Sequence, residues 1–169
     1  MRADRALPPI TIAYHGVGRV SRADDPLGLV MAPELLESQV RALRRVGYRF
    51  RTATEIAGGR PPRGTAVLTF DDGWADALDV VVPLLTRLGV NATFFLNTTL
   101  WGQQHHAVNG PAGRLMDERD ARALAAAGFD VGSHSMTHVD LRTLDNAALA
   151  YELTESRAAI SDITGAPCR

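Results

Sequence analysis

Residues 66–73 read Ala-Val-Leu-Thr-Phe-Asp-Asp-Gly, an apolar, β-favouring run that ends abruptly in two carboxylates and a glycine. A short, continuously apolar segment of this kind predicts a strand buried on both faces, as in a parallel sheet. Asp71 and Asp72 then fall at its C-terminal end. Adjacent acids after a buried strand repel each other and lose hydration unless a cation or hydrogen-bond donors compensate them. Asp-Gly is also a common turn signal, and the segment taken alone favours a plain turn.

The flanking sequence repeats one device. Ile10, Ile12 and Tyr14 mark a first strand, and Pro33 opens a helix whose Leu36, Val40, Leu43 and Val46 form one stripe before Gly47. Gly89 closes a helix carrying Leu78, Val81, Leu85 and Leu88, and Gly128 closes one carrying Ala121, Leu124 and Ala125. Glycine suits these ends because it enters the left-handed conformation without a Cβ clash. Strand-like runs follow each helix, at Tyr48–Phe50, Val90–Leu96 and Phe129–Val131. Alternating strands and helices predict an α/β fold with a parallel sheet or barrel. A last helix is expected from an Asp145 cap to Gly165, with Leu149, Leu153, Ser156 and Ile160 on its inner face. The stretch Asn97–Met116 is read as a long irregular loop.

Composition limits the function. The 169 residues fit one domain over 1–169, and the formal net charge of -1, with scattered basic residues, gives no nucleic-acid footprint. Cys168 is the single cysteine, which rules out an intrachain disulfide and a cysteine-based zinc cage. A metal site would have to use histidines and carboxylates. The longest apolar stretch, Leu78–Leu85, is broken by Asp79 and Pro83 and is too short to span a bilayer. The first five residues lead into no apolar run, so no secretory leader is expected.

A second cluster, Ser133-His134-Ser135-Met136-Thr137-His138, follows another predicted strand. Histidines at i and i+4 share one side of a helical turn, close enough to bind one ion. In a parallel α/β structure the C-terminal ends of different strands converge on one face, so these histidines and the Asp71-Asp72 pair can meet.

Thr69-Phe70-Asp71-Asp72-Gly73 together with His134-Ser135-Met136-Thr137-His138 resembles the two signature motifs of the polysaccharide deacetylase family, or NodB homology domain. The resemblance implies a distorted (β/α) barrel, with Asp71 as base and Asp72, His134 and His138 as metal ligands. It implies a hydrolase that removes N-acetyl groups from amino sugars of a polysaccharide or oligosaccharide. The partner is then an N-acetylated carbohydrate, and the cofactor is one divalent metal, zinc first, with cobalt, nickel, iron or manganese also suited to such ligands. Tyr14-His15-Gly16-Val17 resembles a segment that lies near the active site in a large subgroup. Tyr14 and His15 are therefore candidates for substrate contact. Trp74 and Trp101 could each stack on a sugar or pin a loop, and Asn97 could line the cleft or cap its loop. His105 and His106 are read as solvated.

Family members carry further Arg-Pro, acidic and Leu-His motifs that are absent here. A barrel truncated at the C-terminus, weak activity and self-association through an open sheet edge are the corresponding expectations. Two other readings compete: a noncatalytic sugar- or metal-binding remnant, and a hydrolase of non-sugar amides.

Overall fold

The computed structural model describes residues 7–106 and 112–168; residues 1–6, 107–111 and 169 lie outside that description, and with them the charged N-terminus and part of the Asn97–Met116 stretch. The chain begins with β1 (Ile10–Tyr14), then β2 (Gly16–Val17) and β3 (Val30–Met31), which pair with each other in parallel. Helix α1 (Pro33–Val46), β4 (Arg49–Arg51), the single turn α2 (Ala53–Ile56) and β5 (Thr65–Phe70) follow. A π-helical turn over Ala77–Val81 runs into α3 (Val82–Leu88), which leads to β6 (Thr93–Leu96). A hairpin of β7 (Gln104–His106) and β8 (Ala112–Arg114) precedes α4 (Glu118–Ala126), β9 (Asp130–Ser133) and α5 (Asn146–Thr164).

The α/β fold expected from the sequence is present. Five parallel strands form one sheet in the order β1-β5-β6-β9, with β4 also paired to β5. Strand β5 is central: β1 lies along one side, while β4 and β6 share the other, pairing with its first and last residues. Every residue of β5 is buried, as its unbroken apolar run requires. Among the described residues no pairing joins β1 to β9.

Tyr14, Phe70 and Phe94 are register partners on β1, β5 and β6, and their rings stack at 5.2 and 5.0 Å. Phe129 meets Phe94 edge-on at 5.5 Å. This row packs the C-terminal end of the sheet, one residue before Asp71.

Several details differ from the sequence reading. The helix after Asp72 starts as a π turn because Pro83 has no N–H and its ring crowds the carbonyl of Asp79, four residues back. Strand β6 begins at Thr93, not Val90, because Val90 N–H is used to close α3 on the Leu85 carbonyl. The long stretch contains the β7-β8 hairpin. In α1, Val46 is exposed; in α5, Leu153 is exposed, and Glu152, Ser156 and Ile160 form the buried face.

Candidate metal centre and active site

The end of β5 is bent sharply by its own sequence. Asp71 N–H still bonds the Tyr14 carbonyl at 2.8 Å, extending the ladder by one residue. Asp72 and Gly73 then take φ of 70° and 78°, two left-handed residues in succession. Aspartate tolerates this region better than most side chains. Gly73 is required, since a Cβ there would lie 3.0 Å from Leu96 Cδ2. The turn swings the Asp72 carboxylate away from Asp71 and towards β9.

The histidines do not sit on a helical turn as expected. They flank a loop in which Ser135 and His138 have φ of 64° and 58°. The loop's backbone groups are individually partnered. His134 N–H continues the ladder to the Leu96 carbonyl, and the Asn97 amide donates to the His134 carbonyl at 2.6 Å. Thr99 donates to the Met136 carbonyl through both its N–H and its hydroxyl. Glu152 of α5 accepts the N–H of Met136 at 2.8 Å, the N–H of Thr137 at 3.1 Å and the Thr137 hydroxyl at 2.7 Å. Ser135 Oγ accepts the His138 N–H. Left-handed residues cost energy and persist only where surroundings determine them, as these bonds do.

The result is convergence. Asp72 Oδ1 lies 3.2 Å from Nε2 of His134 and 3.2 Å from Nε2 of His138. The candidate ligand atoms of these three residues all lie within 4.8 Å of one another. Tetrahedral sites with metal–ligand bonds of about 2.0–2.2 Å have ligand atoms about 3.3 Å apart, so the spacing fits one ion. Asp72 Oδ1 is buried yet makes no hydrogen bond of good geometry, as expected of a lone pair aimed at a shared point. Burial alone would raise the Asp72 pKa, but the two imidazoles beside it outweigh burial and hold its carboxyl well below the usual carboxylate range. The same carboxylate pushes His138 up.

Asp71 stands apart from this group of three. Burial pushes its carboxyl upward, opposed by His134 and His15, and its Oδ1 is buried without a hydrogen-bond partner. The structure thus separates two neighbouring acids, one aimed at the imidazoles and one with its Oδ1 left without a partner.

Residues 58–169 match the model of the family described as polysaccharide deacetylase, a stretch that contains all four of these residues. The chain belongs to the polysaccharide deacetylase family. A chitin deacetylase from a Pestalotiopsis species is 36% identical over 101 residues, 60% of this chain and 30% of that protein. A chitin deacetylase from Colletotrichum lindemuthianum is 33% identical over 102 residues, again 60% of this chain and 38% of the relative. The chain thus spans well under half the length of the curated relatives it matches. Among solved structures, a Streptococcus pyogenes deacetylase in complex with acetate superposes with a TM-score of 0.76 at 21% identity, covering 96% of this chain and 70% of that one. A protein from Ammonifex degensii gives a TM-score of 0.74 at 21% identity, with 96% and 72% covered. These two establish likeness of fold.

In this family member the remaining sequence candidates are distributed as follows. His15 follows β1, and its interaction with Asp71 and Asp72 lowers the pKa of both carboxyls. Tyr14 is 5% exposed; its ring is stacked in the core and its hydroxyl donates to Gln39 at 2.9 Å. Trp74 is also buried, and its indole N–H points at Asp72 Oδ2 at 3.4 Å, a long contact that orients the carboxylate from behind. Asn97 is 4% exposed and engaged by the histidine loop, the loop-capping role. Trp101 packs against the core and pins its loop.

Two placements differ from the sequence reading, which took His105 as solvated and did not single out Glu152. His105, on β7, lies with its ring 5.6 Å from that of Trp74 and 6.5 Å from that of His138. Glu152 was hidden among apolar helix positions. A carboxylate at helical spacing from Leu149, Ser156 and Ile160, the positions of the expected inner face, was the signal available for it.

Proposed function

We propose that this domain is the catalytic part of a metal-dependent carbohydrate N-deacetylase. The observation that carries the reading is the meeting of Asp72 Oδ1 and the two imidazole nitrogens, with the unpartnered Oδ1 of Asp71 beside them. Asp72, His134 and His138 would hold one divalent ion, zinc by the nature of the donors. The ion would polarise the acetyl carbonyl and make water a stronger acid near neutral pH.

Asp71 takes the proton from the attacking water at Oδ1, a buried acceptor that no other group of the protein occupies. His15 stabilises the charged carboxylates from the β1 side. Trp74 and Asn97 serve the site indirectly, the first by orienting Asp72 and the second by fixing the His134 loop. The substrate class is an N-acetylated amino sugar, in line with the chitin deacetylases among the relatives.

The test is acetate release from N-acetylglucosamine oligomers by the zinc-loaded chain and by the chelated chain. Release that requires zinc supports the proposal. Zinc binding without acetate release from any N-acetylated oligosaccharide would leave a metal-binding domain that is not a deacetylase.

A further inference from the structure

The β7-β8 hairpin is built onto the turn that carries Asp72. Beyond β8 the chain runs on through Leu115 and Met116 and pairs with the residues just after Asp72. Trp74 and Leu115 form an antiparallel bridge, Ala75 N–H donates to the Arg114 carbonyl at 3.0 Å, and Met116 N–H donates to the Gly73 carbonyl at 2.8 Å. On the other side Leu115 N–H donates to the Gln103 carbonyl at 2.9 Å, which ties in the residue before β7. Three segments thus form one small ladder, and the turn of a metal-ligand candidate sets the position of the hairpin.

Gly113 and His105 are register partners in the hairpin, so their side-chain positions share one face. A Cβ at Gly113 would lie 3.1 Å from Trp74 Cζ3, so the indole fills the space a side chain would take there. Beside that indole the His105 ring stands 5.6 Å away, and it lies 6.5 Å from the His138 ring and nearly perpendicular to it. His105 is nevertheless outside the group of potential ligands formed by Asp72, His134 and His138. It is half-buried, and among the described residues its ring nitrogens make no hydrogen bond. An imidazole presents nitrogens that a sugar hydroxyl, itself both donor and acceptor, satisfies in either direction.

Resting on the deacetylase reading, we infer that His105 is a substrate-contact residue that hydrogen-bonds a hydroxyl of the sugar whose acetyl group enters the metal centre. Backbone pairing to the Asp72 turn and the neighbouring His138 ring give this bond a fixed place relative to the metal site. A bond to a hydroxyl remote from the acetyl carbonyl is made equally in the ground state and the transition state. It therefore strengthens binding without entering the chemical step. It also favours N-acetylated sugars over acetamides that carry no ring hydroxyl.

Equilibrium binding to the zinc-loaded Asp71→Asn protein, in which the proposed base is removed and turnover suppressed, tests this. The probe is the N-acetylglucosamine tetramer, titrated by calorimetry at one neutral pH. His105→Ala and His105→Gln are each added to that background, and zinc content is measured for every protein. The inference expects Kd about three- to tenfold weaker with His105→Ala and within about twofold of the parent with His105→Gln, whose amide keeps a donor and an acceptor. Zinc content should not change. Free acetate, which has no hydroxyl to offer, should bind all three proteins alike. No tetramer binding, equal tetramer affinity in His105→Ala, no recovery with His105→Gln, zinc loss, or acetate affinity weakened in parallel would overturn it. Acetate release by the wild-type protein, measured separately, decides the deacetylase reading.

Discussion

The Asn97 side-chain amide donates to the backbone carbonyl of His134 at 2.6 Å, so the end of β6 fixes the position of a ligand candidate carried after β9. Asn97 is 4% exposed, and its amide is aimed at one acceptor. Replacing the donor by a second acceptor, as in Asn97→Asp, sets a carboxylate against that carbonyl. Groups that orient metal ligands typically cost 10- to 100-fold in affinity when changed, so Asn97→Asp is expected to weaken zinc binding by about that factor. Competition with a chromogenic chelator measures it. An unchanged zinc Kd would show that the ladder bond from His134 N–H suffices.

Glu152 does for His138 what Asn97 does for His134. Its carboxylate gathers two backbone N–H groups and one hydroxyl from Met136 and Thr137. Glu152→Gln keeps the shape but turns one acceptor into a donor facing donors. A loss of about 1–3 kcal/mol of stability is expected for the bond left unsatisfied. Chemical denaturation of the metal-free protein gives the value, and a change below about 0.5 kcal/mol would place the loop's stability elsewhere.

The same residue gives a pH dependence with a defined sign. Burial pushes the Glu152 pKa up, but the hydrogen bonds from Thr137 and Met136 outweigh burial and leave it below the ordinary value of 4.5. A carboxylate with a depressed pKa in the folded state contributes stability above its unfolded pKa and loses it as pH falls through the folded value. The wild-type metal-free protein should therefore lose more thermal stability than Glu152→Gln on acidification below pH 4.5. Parallel losses in the two proteins would remove Glu152 from the acid response.

What the sequence revealed followed from local rules. The buried strand ending at Asp71, the glycine stops after α1 and α3 and the Asp145 cap of α5 each rest on interactions within a few residues. The pairing of Asp72 with the two histidines was legible because parallel strands end on one face. The geometry of that pairing was not. Ser135 and His138 become left-handed because Glu152, Asn97 and Thr99 hold the loop from elements far along the chain, and no periodicity encodes such bonds. Leu153 fits the helical stripe as well as Glu152 does. Burial of the acid is decided by the loop donors it meets.

The central claim is that Asp72, His134 and His138 hold a metal while Asp71, one residue from a ligand, acts only as a base. The most direct measurement is zinc content per chain, by elemental analysis after dialysis, for Asp71→Asn and His134→Ala. Asp71→Asn is expected to keep wild-type zinc while acetate release falls by about 10²- to 10⁴-fold, as for a lost general base. His134→Ala is expected to lose the zinc. Equal zinc loss in both variants, or full zinc in His134→Ala, would contradict the assignment.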